Sequence, residues 1–154
     1  MPGYKGHILG ATTLYILILA VFSLYYVTAY KTITWLLCVL AGALFPDIDI
    51  KSKGQQIFYK FLFAGVLICI LFKQCLLGAY ISLGAFLPLL CKHRGLFHNL
   101  WFLLFITLSG AGVLLHIFPH ERTHILACAG FFLLGVISHL WLDKGLKRML
   151  RFNR

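Results

Sequence analysis

The sequence predicts an all-α, multi-pass transmembrane helical bundle of about six helices. Hydrophobic residues make up 61% of the 154 residues, and only 12% carry a formal charge. Soluble proteins are roughly one-quarter charged, and a chain this short has too much surface to cover with so few polar groups. The excess apolar surface is therefore expected to face lipid, with residues 1–154 forming a single integral membrane domain.

Six apolar runs are separated by charged residues, Pro or Gly. Their approximate ranges are 8–30, 32–46, 57–72, 75–91, 99–118 and 124–142, and a basic tail covers 144–154. A perpendicular span needs about 20 residues, so the second, third and fourth runs are short. Only Lys73 and Gln74 separate the third run from the fourth, which predicts either a tight hairpin or a kinked, re-entrant pair.

The basic residues support six crossings. With six, eleven of the 14 Lys and Arg residues lie on the side of the N terminus, and the other three are Lys31, Lys73 and Arg122. Cytoplasmic loops carry the excess of Lys and Arg, so both termini are expected to be cytoplasmic. This topology also accounts for the net charge of +10. The bilayer is the expected partner, and no nucleic acid is expected, because the basic residues form no stripe with interleaved aromatics.

The five cysteines are scattered and form no C-x-x-C pair. This pattern predicts small packing residues rather than a disulfide framework. They are Cys38, Cys69, Cys75, Cys91 and Cys128.

Acidic residues and histidines are concentrated on the predicted cytoplasmic side. A carboxylate at mid-membrane costs about 2.5–3.5 kcal/mol, so a chain with only four acidic residues is expected to retain them for function. The candidates on this side are His7, Asp47, Asp49, His93, His98, His139 and Asp143.

The spacing of the first pairs indicates shared ligand sites. His139 and Asp143 are four residues apart, which places both on one face of a helix. Asp47 and Asp49 follow Pro46. In an extended segment both carboxylates can turn toward one cation. Taken singly, each pair also has a structural interpretation. His139 and Asp143 could mark a capped helix end with a packed histidine, and Asp47 and Asp49 could form an acidic turn at the headgroup boundary.

The remaining histidines lie in short motifs. His93 and His98 flank Gly95, which permits a tight turn, and Arg94 offers a planar fork for phosphate oxygens. His7 lies between two glycines in Gly6-His7-Ile8-Leu9-Gly10. Small residues at this spacing let a neighbouring helix approach closely. A positive-inside loop with incidental histidines is the alternative interpretation of the 92–98 segment.

Mixed His and Asp ligands favour Zn, Mn or Fe(II) over Mg. Seven candidate ligands exceed the needs of one four-coordinate site, so one or two divalent metal ions are expected. A second group of histidines on the opposite side, with His116, His120, Glu121 and His124, could bind Zn, but histidines on a wet loop are more often incidental.

Together these segments resemble the bacterial membrane-bound, metal-dependent hydrolase family whose best-known members are LexA-regulated inner-membrane proteins. The resemblance covers nearly the whole chain. Asn99 follows His98 where the family more usually has a small hydroxyl residue. The motifs are Gly6-His7, Leu44-Phe45-Pro46-Asp47-Ile48-Asp49 with Ser52, His93-Arg94-Gly95 with His98, and Ser138-His139 with Leu142-Asp143.

The resemblance implies an inner-membrane hydrolase that uses these His and Asp residues as metal ligands. Coordinated water can lose a proton near neutral pH, and a carboxylate, Asp47 or Asp49, would accept it. Arg94, with Lys92, would balance charge on a phosphoester, and a site at headgroup level favours a lipid or amphiphilic substrate. The alternatives are a metal-binding or transport protein without hydrolysis and a structural protein whose polar groups mark helix ends.

Overall fold

The computed structural model describes residues 3–21, 28–90 and 95–145. Within these ranges the chain is helical and contains no strand, which confirms the predicted all-α membrane bundle. The six helices are α1 Tyr4–Val21, α2 Ala29–Leu44, α3 Lys53–Leu71, α4 Cys75–Leu90, α5 Leu100–Ile117 and α6 Arg122–Lys144. Short 3₁₀ turns cover Phe45–Asp49, Leu96–His98 and Pro119–Glu121.

Five of these helices are long and apolar enough to cross a membrane: α1, α2 with the turn that follows it, α3, α5 and α6. Helix α4 has 16 residues. At 1.5 Å per residue it is about 24 Å long, shorter than the roughly 30 Å hydrocarbon core. The outer surface is apolar, with Phe61 76% and Leu71 79% exposed. Such exposure is unfavourable in water and suits contact with lipid.

The helices alternate in direction. His7, in the first turn of α1, lies 3.4 Å from Asp143 in the last turn of α6. Asp47, just after α2, lies 3.6 Å from His98, just before α5. The start of α1, the end of α2, the start of α5 and the end of α6 therefore share one end of the bundle. We call it the site end.

The first predicted apolar run, 8–30, is divided in the structure. Helix α1 ends at Val21, and α2 begins at Ala29, before the predicted start of the second run at 32. Hydropathy does not reveal this division because the residues between the two helices are themselves mostly apolar. Lys31 lies inside the first turn of α2, where a lysine can extend its charged end toward the membrane surface.

A tight hairpin joins α3 and α4, which is the first of the two arrangements predicted for this pair. The amide of Gln74 donates to the Cys69 carbonyl at 2.7 Å, and Lys73 takes a left-handed conformation with φ 57°. Further along, the Tyr59 hydroxyl donates to the Ala85 carbonyl at 2.8 Å. The two helices therefore run side by side in opposite directions.

Helices α2 and α6 form the most extensive helix pair. Their backbones touch at two glycines. A Cβ at Gly42 would overlap the Phe132 carbonyl, and a Cβ at Gly135 would overlap the Val39 carbonyl. Small residues permit such close packing between membrane helices. This contact fixes the position of the C-terminal half of α6, which carries two candidate ligands.

Helix α1 packs against the same pair. A Cβ at Gly10 would lie 2.9 Å from Leu142 Cδ1 and 3.4 Å from Ser138 Oγ. The predicted close approach of a neighbouring helix at the Gly6–Gly10 motif is thus confirmed at Gly10. The Tyr15 hydroxyl also donates to the Thr32 carbonyl at 2.6 Å. These contacts place His7 one turn from the end of α6.

Candidate metal centre

Ligand-type side chains from four helix ends meet at the site end. Among the described residues, two groups of three side chains each have ligand atoms within 4.8 Å of one another, and His139 belongs to both. The first group is His7, His139 and Asp143; the second is Asp47, His98 and His139. Residues separated by more than 130 positions thus share one small volume.

The distances within the centre are those expected of ligands around an ion. His139 Nε2 lies 3.5 Å from Asp47 Oδ1 and 3.7 Å from Asp143 Oδ2. His98 Nε2 lies 3.6 Å from Asp47 Oδ1 and 3.9 Å from Asp143 Oδ2. Charge-assisted hydrogen bonds are shorter, about 2.7–2.9 Å. In a tetrahedral site with bonds of about 2.0–2.1 Å, neighbouring ligand atoms lie about 3.4 Å apart.

The hydrogen bond of His139 determines which ring nitrogen is available. His139 Nδ1 lies 2.7 Å from the Ala43 carbonyl oxygen, and a carbonyl only accepts, so Nδ1 carries a proton. In the neutral ring Nε2 therefore has a lone pair, which faces two carboxylates. Nε2 is buried and has no hydrogen-bond partner among the described residues. Metal-ligating histidines are commonly held this way, by a carbonyl on the nitrogen away from the metal.

The centre is closed except near one carboxylate. His7, His98 and His139 are 2%, 2% and 0% exposed. The Asp143 side chain is 8% exposed and that of Asp47 is 21% exposed. Buried charges require pairing or a metal ion. Asp47 is therefore the most accessible of these five side chains.

Two rings pack directly on His139. The His7 ring is stacked on it with centroids 3.9 Å apart and planes inclined by 17°. The His98 ring meets it edge-on at 5.7 Å. This packing limits rotation of the shared imidazole and keeps its Nε2 directed at the carboxylates.

The 3₁₀ turn Phe45–Asp49 presents Asp47. The Ser52 hydroxyl donates to the Asp47 carbonyl at 2.7 Å and accepts from the Gln55 amide at 3.0 Å. Ser52 is thus both the N-cap of α3 and the tether of the Asp47 backbone. Ile48, 2% exposed, anchors the same turn in the core.

Replacing Ser52 with alanine is expected to loosen the centre without dismantling it. The loss of an N-cap costs about 1 kcal/mol, and the Asp47 backbone loses its tether. We expect a lower thermal unfolding temperature in detergent and weaker metal retention. Ser52→Thr, which keeps the hydroxyl, is the matched control. Equal metal retention in Ser52→Ala and the native protein would show that this tether is unimportant.

The 3₁₀ turn Leu96–His98 presents His98, and Asn99 follows it. The Asn99 side chain accepts from the Trp101 amide at 3.0 Å and caps α5. Asn and Ser are equally good N-caps. The departure from the family pattern at this position therefore preserves a helix cap.

The other predicted site residues lie outside the two ligand groups or outside the described residues. Asp49 is half-buried in the same turn as Asp47 but belongs to neither ligand group. His93 and Arg94, with Lys92, lie outside the described residues. Among the cysteines that the structure describes, none belongs to either group. Cys38, Cys69 and Cys128 lie within helices.

Sequence reasoning missed the contribution of the backbone. It did not identify the Ala43 carbonyl as the partner of His139 Nδ1, because any residue type can supply a carbonyl. It also did not single out Gly42 and Gly135, whose contact brings Ala43 against α6. The available signal was a pair of adjacent small residues, Gly42-Ala43, in α2 and a glycine, Gly135, opposite them in α6.

A family comparison agrees with the fold. The model of the YdjM inner membrane protein family matches residues 1–148. The chain belongs to that family. It is therefore an inner-membrane protein, as its helices indicate. No curated protein and no solved structure gives a significant match to the chain.

Proposed function

We propose that this YdjM-family protein is a membrane-bound, metal-dependent hydrolase that acts on a phosphoester of a lipid or amphiphile at the cytoplasmic membrane face. The observation that carries the proposal is the buried Nε2 of His139. In the neutral ring this nitrogen has a lone pair and no proton, so it cannot donate a hydrogen bond to the two carboxylates that it faces, Asp47 and Asp143. A divalent cation satisfies all three groups at once.

The ligand atoms can hold one divalent ion, and some of them could also belong to the ligand set of a second ion. Nδ1 of His139 is engaged by Ala43, so this ring offers one ligand atom. That atom forms a group of three with Asp47 and His98, and Asp143 Oδ2, 3.9 Å from His98 Nε2 and 3.7 Å from His139 Nε2, would be the fourth ligand. The other Asp143 oxygen, Oδ1, lies 3.4 Å from His7 Nε2, so these two side chains could hold a second ion. Imidazole and carboxylate together favour Zn, Mn or Fe(II).

The protein groups have separable tasks in this mechanism. A bound divalent ion supplies Lewis-acid activation of water and of a phosphoryl oxygen. Asp47 Oδ1 faces both His98 and His139, so its Oδ2 is the atom that takes the proton from the attacking water. Asp47 suits this task because it is the most exposed member of the centre.

Arg94 is the proposed phosphate-binding residue. It lies outside the described residues, but the described chain resumes at Gly95, and buried Phe97 and His98 follow. The first described residues after Arg94 therefore lead directly into the centre. A guanidinium there would pair with two phosphate oxygens of the substrate and balance the charge that develops in the transition state.

The position of the centre favours catalysis over transport. Transport sites typically lie near the bilayer midplane on broken helices. Here the ligands lie in the first turns and last turns of helices, all at the site end. A substrate that approaches at headgroup level reaches this end without crossing the membrane.

The test is hydrolysis by the purified full chain in mixed micelles, with short-chain phosphatidic acid and phosphatidylglycerol as probes. Metal-free protein is assayed alone and after addition of Zn, Mn, Fe(II) or Mg, and released phosphate or glycerol phosphate is measured. Activity that depends on Zn, Mn or Fe(II) and is removed by a chelator is expected. Asp47→Asn should lower it at least about a hundredfold, the usual contribution of a general base.

His116→Gln is the matched control, because His116 is exposed at the opposite end of α5. It should hydrolyse at the native rate. Absence of hydrolysis with every metal, combined with metal uptake into proteoliposomes, would instead establish the transport alternative.

A further inference from the structure

A groove of about 460 Å³ lies between α5 and α6, away from the metal centre. Its volume is that of a typical small-molecule pocket. Five residues of α5 within 106–114 and five residues of α6 within 124–132 line it, together with Phe45. Gly110, Ala111 and Ala129 leave the space between the helices unfilled. At 1.5 Å per residue, the lined stretch of each helix is about 12 Å long.

The groove is closed toward the site end. The rings of Phe45 and Phe132 meet edge-on there with centroids 5.3 Å apart, and both line the groove. They also pack on the buried core cluster that includes Leu103 and Leu140. A molecule in the groove is therefore separated from the Asp–His centre by a layer of apolar side chains.

The opposite end of the groove meets a second cavity of about 340 Å³. The two cavities share Leu114, His124 and Ile125. The second cavity adds the Glu121 carboxylate and the Tyr30 phenol, and the Tyr30 ring is stacked on His124 at 5.7 Å. The combined space is therefore apolar along the α5–α6 groove and polar at its mouth, the second cavity.

We propose that this space binds one membrane lipid, with an acyl chain in the α5–α6 groove and an amine-bearing head group at Glu121 and Tyr30. The orientation follows from the walls, because the closed end is lined by phenyl rings and the polar groups lie at the mouth. The site is distinct from the metal centre and does not depend on its function.

An amine fits the mouth better than an anionic head group does. Among the described residues that line the mouth, Glu121 is the one Asp, Glu, Lys or Arg. Its carboxylate attracts a cation and repels an anionic head group. The Tyr30 ring favours a nearby ammonium group through its π face. His124 Nδ1 is buried and has no hydrogen-bond partner within the part of the chain that the structure describes.

The test is photolabelling of the full chain in vesicles of phosphatidylethanolamine and phosphatidylglycerol. The probes are the same two lipids with a photoreactive acyl chain, and labelled peptides are mapped by mass spectrometry. We expect phosphatidylethanolamine adducts on residues 106–114 and 124–132, with little labelling there by phosphatidylglycerol. Excess unlabelled phosphatidylethanolamine should remove these adducts, and excess phosphatidylglycerol should not.

Two glycines of α5 provide a matched pair of variants. A Cβ at Gly110 or at Gly112 meets nothing within 4 Å, and Gly110 lines the groove whereas Gly112 does not. Gly110→Phe should lose the groove adducts, and Gly112→Phe should keep them. Glu121→Gln should reduce the preference for phosphatidylethanolamine.

Groove labelling of the native chain by both lipids alike would overturn the head-group assignment. Unchanged labelling in Gly110→Phe, or native adducts spread evenly over the outer faces of all helices, would overturn the groove itself. The competition measurement in the native chain decides the question even if a variant does not fold. None of these outcomes bears on the metal centre, which is tested separately by hydrolysis.

Discussion

Replacing His139 with glutamine is expected to remove the metal from the purified protein and abolish hydrolysis. His139 is the one ligand common to both groups, and its Nε2 faces both carboxylates. Glutamine retains a polar side chain of similar length but offers no imidazole lone pair. We expect metal content, measured by mass spectrometry of the purified protein, to fall at least about tenfold.

His120→Gln is the control for this variant, because His120 is exposed in the turn at the opposite end. It should retain the native metal content. Circular dichroism should show the same helical content in both variants, so that loss of metal is not confused with loss of fold. Native metal content in His139→Gln would mean that the ion, if bound, lies elsewhere.

Replacing Gly135 with alanine is expected to destabilise the helix bundle strongly for a change of one methyl group. The added Cβ would overlap the Val39 carbonyl and lie 2.7 Å from the Ala43 amide. Because these are backbone atoms, no side-chain rotation relieves the overlap, and α2 must move away from α6. We expect a loss of at least about 3 kcal/mol, at the upper end of overpacking effects, measured by denaturant unfolding in micelles.

The same change should also weaken the metal centre, because moving α2 lengthens the bond from His139 Nδ1 to the Ala43 carbonyl. Gly130→Ala is the matched control on the same helix, since a Cβ there meets nothing within 4 Å. Alanine is the better helix former by up to about 1 kcal/mol, so this control should be neutral or stabilising. Equal stability of the two variants would contradict the close α2–α6 contact.

Much of the fold followed from composition and charge. The small number of charged residues indicated a membrane bundle, and the distribution of Lys and Arg indicated six crossings with the same end shared by the first and last helices. The described residues form six helices, five of them long and apolar enough to cross a membrane, and His7 of α1 lies beside Asp143 of α6. Hydropathy could not place the break between α1 and α2, because the residues between these helices are mostly apolar and hydropathy does not show where the chain reverses direction.

Part of the centre was also predictable. The spacing of four between His139 and Asp143 placed both on one helix face, and their side chains lie 3.7 Å apart. The meeting of His7 with that pair depends on how α1 packs at Gly10, which one motif indicates only weakly. The tautomer of His139 depends on a backbone carbonyl 96 positions away, which no side-chain pattern encodes.

The most direct test of the central claim is to locate the metal by anomalous X-ray diffraction at the absorption edge of the ion. Crystals of the full chain should show a peak coordinated by His139 Nε2, Asp47 and His98, with a carboxylate oxygen of Asp143 completing the set. Ligand distances of about 2.0–2.2 Å from nitrogen and oxygen are expected for Zn. A peak only at the opposite end, near His116 or His124, or no peak after soaking with each candidate metal, would contradict the account.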